Sequence, residues 1–462
     1  MEIKEYLSEF SKVDCACGKK HTSSVEDIIV KSGAVNDLPA LIRKYAAKKP
    51  FVLADANTFS ACGEKVCEIL KSKGIACSEY VYSEPELAPD ENAVGAAFMH
   101  FDKSCDLVIA VGSGVINDLG KILSNVTDLP YFIVATAPSM DGYASATSSM
   151  SMDGVKVSLP SKCPNVIIGD TDVLCKAPMK MLQAGLGDML AKYISLAEWR
   201  IAHEIVGEYY CERIAKLVRF ALKECVDNAR GLLARDEVAV KAVFNGLVIG
   251  GVAMAFAGMS RPASGVEHYF SHVWDMRGLE FGTKIELHGI QCAVATKIAA
   301  RLYEKLLNVV PDKEKALAFV KSFEYGKWAE ELKDFIGKGA LNMIELEGKE
   351  QKYDKDRHAK RLKIILQKWD IICNIIRSEI PAEKEIDSIL DIIGAPKNPR
   401  GIGIDCDLFL TFKATKDIRD KYVLSRLLWD LGEIENFKNV ITDRNGSGKS
   451  GSCKDKHHDG YL

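Results

Sequence analysis

Neither sign of charge is in excess in this chain of 462 residues: 61 Lys and Arg stand against 64 Asp and Glu, for a formal net charge of −3. A protein that coats nucleic acid carries a clear basic surplus, so no nucleic-acid partner is expected. Disulfide density is also lacking. The 14 cysteines are scattered along a long chain, unlike the crowded cysteines of a small stapled scaffold. The opening residues Met1-Glu2-Ile3-Lys4-Glu5-Tyr6 hold no apolar stretch of the kind a secretory signal needs. Free thiols in a reducing cytoplasm are the expectation. Long hydrophobic runs are nearly absent. Ala242 to Met259 carries no charge over 18 residues, which just reaches membrane-spanning length. It contains Asn245, Gly246, Gly250, Gly251 and Gly258, and so reads as a helix buried in protein through its small residues, with no membrane span. What remains is an ordinary globular composition, 47% apolar, long enough for two or three domains with full cores.

The first third alternates short apolar runs with helical stretches. Phe51-Val52-Leu53-Ala54 ends at Asp55, a helical stretch from Thr58 to Lys73 stops at Gly74, and Tyr80-Val81-Tyr82 follows. Asp106 to Val111 and Tyr131 to Ala135 are apolar on both faces, as central parallel strands are. Repeated βα units of this kind predict an α/β fold with a doubly wound parallel sheet. Pro164 to Asp170 is the last clear strand; helical periodicity then dominates to about residue 440. The expected division is a Rossmann-like dinucleotide-binding domain over 1–177, a helical metal- and substrate-binding domain over 178–440, and a disordered tail over 441–462. The tail's Gly448-Lys449-Ser450 mimics a phosphate loop, but Asp443 stands where its first glycine belongs.

The strand ending at Val111 runs into Gly112-Ser113-Gly114-Val115-Ile116-Asn117. Glycines let the backbone approach a pyrophosphate, and the N-terminus of the next helix attracts it. Asn117 occupies the third glycine position of the usual fingerprint, so a plain strand-to-helix turn is the alternative. After the next strand comes the polar loop Thr136-Ala137-Pro138-Ser139-Met140-Asp141-Gly142-Tyr143-Ala144-Ser145, at the strand ends where such sheets bind ligands. Thr136, Ser139 and Ser145 can hydrogen-bond a cofactor, and Asp141 can accept from a substrate hydroxyl or merely cap a turn. Asp55 is placed to hold the ribose of NAD in preference to NADP, or simply to cap the helix that begins near Thr58.

Of only nine histidines, three lie within 21 residues: His268, His272 and His288. On a helix His268 and His272 share a face, and His288 opens another apparent helix. Neutral imidazoles suit Zn, Ni or Fe(II); ordinary packed histidines are the alternative. Asp188, among the small and apolar residues from Leu182 to Lys192, is the candidate anionic ligand, because a carboxylate in such surroundings is costly unless paired or metal-bound. Its alternative is an ion pair with Lys192. Cys15-Ala16-Cys17-Gly18-Lys19-Lys20-His21 also looks metal-like, but it offers three ligands at most, no fourth is evident, and C-x-C is unusual spacing for zinc. A β-turn with free thiols is the favoured reading.

These pieces together, with Asp118 and Lys121 after the glycine loop and Ser260-Arg261-Pro262-Ala263-Ser264-Gly265-Val266-Glu267-His268, resemble the bacterial sn-glycerol-1-phosphate dehydrogenases of the iron-containing alcohol dehydrogenase and dehydroquinate synthase-like superfamily. The resemblance runs from about residue 10 to 440. It implies a Rossmann-like domain and an all-helical domain with the active site between them. It further implies that Gly112, Ser113, Gly114, Val115, Ile116, Thr136, Ala137, Pro138 and Ser139 hold NAD, or NADP, with Ser145 adding a contact. Asp188, His268 and His288 would bind one divalent metal, Zn or Ni. Asp141, Asp188 and His272 would touch a phosphorylated triose. The implied reaction is reversible reduction of dihydroxyacetone phosphate to sn-glycerol 1-phosphate for lipid synthesis, in a homodimer, with His272 delivering a proton and Arg261 as a guess for the phosphate. Ser113 replaces the middle of the family's three glycines, and the tail has no counterpart. Glycerol dehydrogenase, dehydroquinate synthase (whose acidic ligand is typically Glu) and a non-catalytic nucleotide-binding protein are the competing readings.

Overall fold

A computed structural model describes residues 7, 10, 12–84, 86–152 and 155–442. The expected tail from Arg444 onward, with Gly448-Lys449-Ser450, lies outside the described residues. The last described helix, Lys438–Thr442, buries Ile441.

The apolar runs form strands where their patterning places them. They are β1 (Asp27–Lys31), β2 (Pro50–Asp55), β3 (Ser78–Tyr82), β4 (Leu107–Gly112), β5 (Tyr131–Ala135), β6 (Thr147–Met152), β7 (Val155–Pro160) and β8 (Val166–Asp170). Six of them make one parallel sheet in the order β1-β8-β5-β4-β2-β3. The sequence reading did not anticipate β1, which is partly polar, or the antiparallel β6–β7 hairpin, which is rich in Ser. The chain passes from β2 to β3 at one edge and then back across β2 to β4. The strand order therefore reverses between β2 and β4, and a doubly wound sheet binds its ligand at such a point.

Helices cover the sheet. In chain order they are α1 (Leu38–Lys44), α2 (Glu64–Ser72), α3 (Glu91–Met99) and α4 (Gly114–Thr127). Alternate side chains of β4 enter two different cores. Leu107, Ile109 and Val111 pack with residues of α1 and α2. Val108 and Ala110 join a core that extends into the helical half, through Leu186 and Phe244. That half begins with α5 (Met179–Leu190), α6 (Lys192–Val206), α7 (Glu212–Asp227), α8 (Glu237–Ala257), α9 (Val266–Phe281) and α10 (His288–Leu306). Later helices bury a third apolar cluster around Trp274, Phe412 and Leu428. The uncharged run lies in α8, which is long and apolar enough to cross a membrane. Here 67% of its apolar window is buried inside the fold, as its glycines suggested.

Candidate active site

On the sheet side, β4 turns into α4 through the glycine loop. A Cβ on Gly112 would lie 2.5 Å from the Cβ of Ile116, so the tight turn excludes a side chain there. The Ser113 hydroxyl accepts from the Gly114 N–H at 2.6 Å and lies 2.9 Å from the Ser139 hydroxyl, tying the two loops together. The first turn of α4, with Val115 and Ile116, presents N–H groups that have no intrahelical acceptor, at the positive end of the helix dipole. Thr136 N–H donates to Gly112 O at 3.1 Å, which fixes the second loop beside the first. Ala137 O accepts from the Tyr143 hydroxyl. Ser145 is turned inward: its hydroxyl accepts from buried Lys121 at 3.0 Å and donates to Gly142 O. Asp55 ends β2, two residues beyond the Leu53–Ala110 pair, so it stands level with Gly112 across the switch point. It caps the following turn, accepting from Thr58 N–H at 2.9 Å, so the helix-cap alternative is realised.

On the helical side, close helix packing brings the ligand candidates together. A Cβ on Gly187 would fall 2.3 Å from Gly289 O, one on Gly289 would fall 2.0 Å from Ala184 O, and one on Gly185 would fall 1.9 Å from Pro138 O. Gly187 and Gly289 let α5 and α10 touch backbone to backbone, Gly185 lets α5 touch the polar loop, and the first two stand next to Asp188 and His288. The ion-pair alternative for Asp188 is realised, and a histidine lies close beside it. Its Oδ1 accepts from Lys192 Nζ at 2.8 Å and lies 3.6 Å from His268 Nε2, while its Oδ2 accepts from Asp141 N–H at 2.9 Å. Lys192 also donates to Asp141 Oδ2 at 2.6 Å, so two buried carboxylates share one ammonium. Such a set keeps one negative charge uncompensated, which is costly in a dry interior and fits a cation. One ligand atom from each of Asp141, Asp188 and His268 falls within 4.8 Å of the others, as do those of His268, His288 and Cys292.

The protonation states suit that role. Burial would raise the Asp188 pKa, but Lys192 and the two histidines outweigh it and hold it at about 2. Lys192 is likewise pushed up despite its burial, by Asp141 and Asp188. Burial, helped by Lys192, lowers His268 to about 4; burial, helped by His268, lowers His288 to about 4. Both imidazoles are therefore neutral at pH 7, which is the ligating form.

Outer partners fix which nitrogen points inward. His268 Nδ1–H donates to Glu267 Oε1 at 2.7 Å, leaving Nε2 toward Asp188. The Ser271 hydroxyl donates to Gln291 Oε1 at 2.6 Å and so accepts from His288 Nδ1–H at 2.8 Å. Gln291 Nε2 continues to Asp275 Oδ1 at 3.1 Å, and Asp275 Oδ2 takes Lys156 Nζ at 2.6 Å. Carboxylate or hydroxyl support behind a metal histidine is the usual second layer of such sites. Sequence reasoning passed over this layer. Glu267, Ser271 and Asp275 recur every four residues on one face of α9, a buried polar stripe that could have been noticed; Lys156 and Gln291 carried no local signal.

His272 lies beside the metal candidates, its ring centroid 6.1 Å from that of His288, and it opens onto a cleft of about 320 Å³. Lys156, Lys349 and Arg419 line the same cleft. Burial and the neighbouring cations, Arg419 first, lower His272 well below the usual imidazole value. Arg261 does not serve as the phosphate cation. It is fully buried, its Nε and Nη2 clamp Glu208 at 2.7 and 2.5 Å, and its Nη1 donates to Tyr422 O. The salt-bridge alternative holds, because burying a guanidinium demands a carboxylate partner.

Known proteins resemble the chain at both levels. Residues 29–178 match the family model described as iron-containing alcohol dehydrogenase. The glycerol-1-phosphate dehydrogenase [NAD(P)+] of Geobacillus thermodenitrificans is 36% identical over 286 residues, which are 61% of this chain and 71% of that protein. That of Methanosarcina acetivorans is 31% identical over 277 residues, 58% of this chain and 74% of that protein. In fold, the glycerol dehydrogenase of Schizosaccharomyces pombe aligns with a TM-score of 0.59 at 16% identity, covering 92% of this chain and 93% of that one.

Proposed function

The chain belongs to the glycerol-1-phosphate dehydrogenase family, and from that premise we propose that it interconverts dihydroxyacetone phosphate and sn-glycerol 1-phosphate by hydride transfer with NAD(P). The observation that carries the reading is the buried pair of carboxylates, Asp141 and Asp188, sharing Lys192 beside two neutral imidazoles. Asp188, His268 and His288 would hold one divalent cation, Zn or Ni. The glycine loop from Gly112 to Ile116, the segment from Thr136 to Ser139, and Asp55 would hold the dinucleotide, and Asp55 favours NADH because a 2′-phosphate would meet its charge. When bound, the cation supplies Lewis acidity at the ketone oxygen and the nicotinamide supplies the hydride.

The chain's own residues do the rest. Asp141, held by Lys192, accepts from the substrate hydroxyl beside the ketone and fixes which face is presented. His272 relays a proton from the cleft to the oxygen that becomes the new hydroxyl. Lys156 and Arg419 take the phosphate, the role first assigned to Arg261. Ser145 acts on the cofactor only through the loop it braces with Lys121. We read residues 1–177 as the dinucleotide half, residues 178–440 as the metal and substrate half, and the working form as a cytoplasmic homodimer.

The test is NADH oxidation with dihydroxyacetone phosphate, set against unphosphorylated dihydroxyacetone, after reconstitution with Zn or Ni. The phosphorylated ketone should be strongly preferred; equal or better turnover of the unphosphorylated one would move the assignment to glycerol dehydrogenase. Asp188→Asn should lose the catalytic metal and at least ~100-fold in rate, the scale of a lost electrostatic stabiliser. Normal metal content and turnover in that variant would overturn the site.

A further inference from the structure

A second set of metal-ligating side chains lies outside this site. Cys15, Cys17 and His21 find a fourth partner in the fold, which the sequence did not reveal. Cys211, at the N-cap of α7, joins them. Cys15 Sγ lies 3.5 Å from Cys211 Sγ, Cys17 Sγ lies 3.4 Å from His21 Nε2, and Cys211 Sγ lies 3.5 Å from the same nitrogen. All four ligand atoms fall within 4.8 Å of one another. Zinc takes thiolate at about 2.3 Å and imidazole at about 2.0 Å, which in a tetrahedron sets the ligand atoms about 3.5–3.8 Å apart. We propose that Cys15, Cys17, His21 and Cys211 form a structural zinc site that fastens the segment ahead of β1 to the helical half.

Three independent features support it. First, His21 Nδ1 lies 3.1 Å from Phe256 O. A carbonyl can only accept, so the proton is on Nδ1 and the Nε2 lone pair faces the sulfurs, the arrangement of a ligating histidine. Second, the turn is shaped for two sulfurs to point the same way: Gly18 N–H donates to Cys15 O at 2.9 Å, with Gly18 in the left-handed region at φ 79°. Third, the inner side of the site is closed, with Cys15 and Cys17 half-buried toward the surface. His21 and Cys211 are 1% exposed, the His21 ring lies against Phe10 and Phe256, and Cys17 touches the Tyr209 hydroxyl at 3.2 Å. Three thiolates and one neutral imidazole around Zn²⁺ leave one negative charge. Lys19, stacked 3.7 Å from the Tyr209 ring centroid, is at hand to offset it. Four protein ligands and no open position describe a structural centre rather than a catalytic one, and soft sulfur selects zinc over magnesium or calcium. The ligands span the fold: residues 15–21 precede the sheet, while Cys211 and Phe256 belong to the helical half.

The proposal stands apart from the reading of the active site, and its test keeps the two separate. The full chain, expressed with zinc, is dialysed against a chelator to strip the open site. One zinc per chain should remain and be released by an organomercurial in step with titration of three thiols. The His268→Ala/His288→Ala double variant should keep this zinc, and Cys17→Ser should lose it and melt at lower temperature. Should Cys17→Ser fail to fold, cobalt substitution of the wild-type chain provides the second readout, a thiolate-to-cobalt charge-transfer band that survives the chelator. Complete zinc loss to the chelator with no such band, or a Cys15–Cys211 disulfide found by mass under non-reducing conditions, would overturn it.

Discussion

The two ligand clusters in this molecule are built by opposite means. At Asp188 the donors are oxygen and nitrogen, a lysine already pairs with two of the acids, and one side opens onto a cationic cleft. At Cys15 the donors are mostly sulfur, four ligands leave no open position, and rings cover the inner side. The first depends on helices approaching closely enough for their side chains to converge; the second on a turn delivering three ligands to a helix end. An open, charge-strained cluster suits turnover and a closed, sulfur-rich one suits stability, so damage to one should leave the other intact.

The largest effect that separates them should come from Gly289→Ala. A Cβ there would meet Ala184 O at 2.0 Å, a contact with backbone that no side-chain movement relieves. The α5–α10 pair would have to part by about 1 Å, which costs about 1–3 kcal/mol in packing, and a displacement of that size at reacting groups costs about 100-fold in rate. The variant should melt lower and turn over about 100-fold more slowly, yet keep its chelator-resistant zinc. Undiminished kcat with a normal melting temperature would mean that helix contact does not set the ligand geometry.

A smaller effect is expected at Glu267→Gln. The glutamine can still accept from His268 Nδ1–H, but without the negative charge that Glu267, pushed up to about 7 by burial, carries above that pH. Loss of an outer-layer partner weakens metal binding by about 10–100-fold, and the retained amide oxygen places this variant near the lower end. Titration of the apoprotein with buffered metal would measure it. Unchanged affinity would show that the carboxylate behind His268 orients nothing.

How far these clusters could be read from the sequence follows from chain separation. His268 and His272 were visible because i and i+4 share a helix face, and Asp188 because a carboxylate among small apolar residues has few uses. The glycine loop and β4 were visible because βα units repeat. Cys211 was not, since 190 residues separate it from His21 and nothing local marks it. Arg261 was misread for a related reason. It was a guess for the phosphate with a salt bridge as the alternative, and its partners, Glu208 and the Tyr422 carbonyl, come from remote loops. Lys156 and Arg419, proposed in its place, come from a hairpin and from a loop near the C-terminal end of the helical half, and only the folded chain brings them to one cleft. The reading failed where function depends on close approach of distant segments.

The smallest expected effect concerns a pair of acids behind the open cluster, with no counterpart at the closed one. Glu198 is buried, accepting from Tyr303, Leu424 and Val266, and a Cβ on Gly265 would be 2.7 Å from its Oε2 and from Glu267 Oε2 alike. The two carboxyls thus face each other across a bare glycine, and Glu267 Oε2 has no hydrogen-bond partner among the described residues. Burial, and then the charge of Glu267, pushes Glu198 up from 4.5 to about 8. A raised acid in the folded state keeps a proton that the unfolded chain releases. Its contribution is therefore fully present below pH 4.5 and is lost as pH rises toward about 8. Glu198→Gln removes the titration while keeping an acceptor. Across that interval the wild-type chain should lose stability relative to the variant, read as a melting-temperature difference that grows with pH and levels off near its upper end. A difference that stays constant, or one that runs the other way, would mean that Glu198 is ionised in the folded protein and that its three donors outweigh both burial and the neighbouring acid.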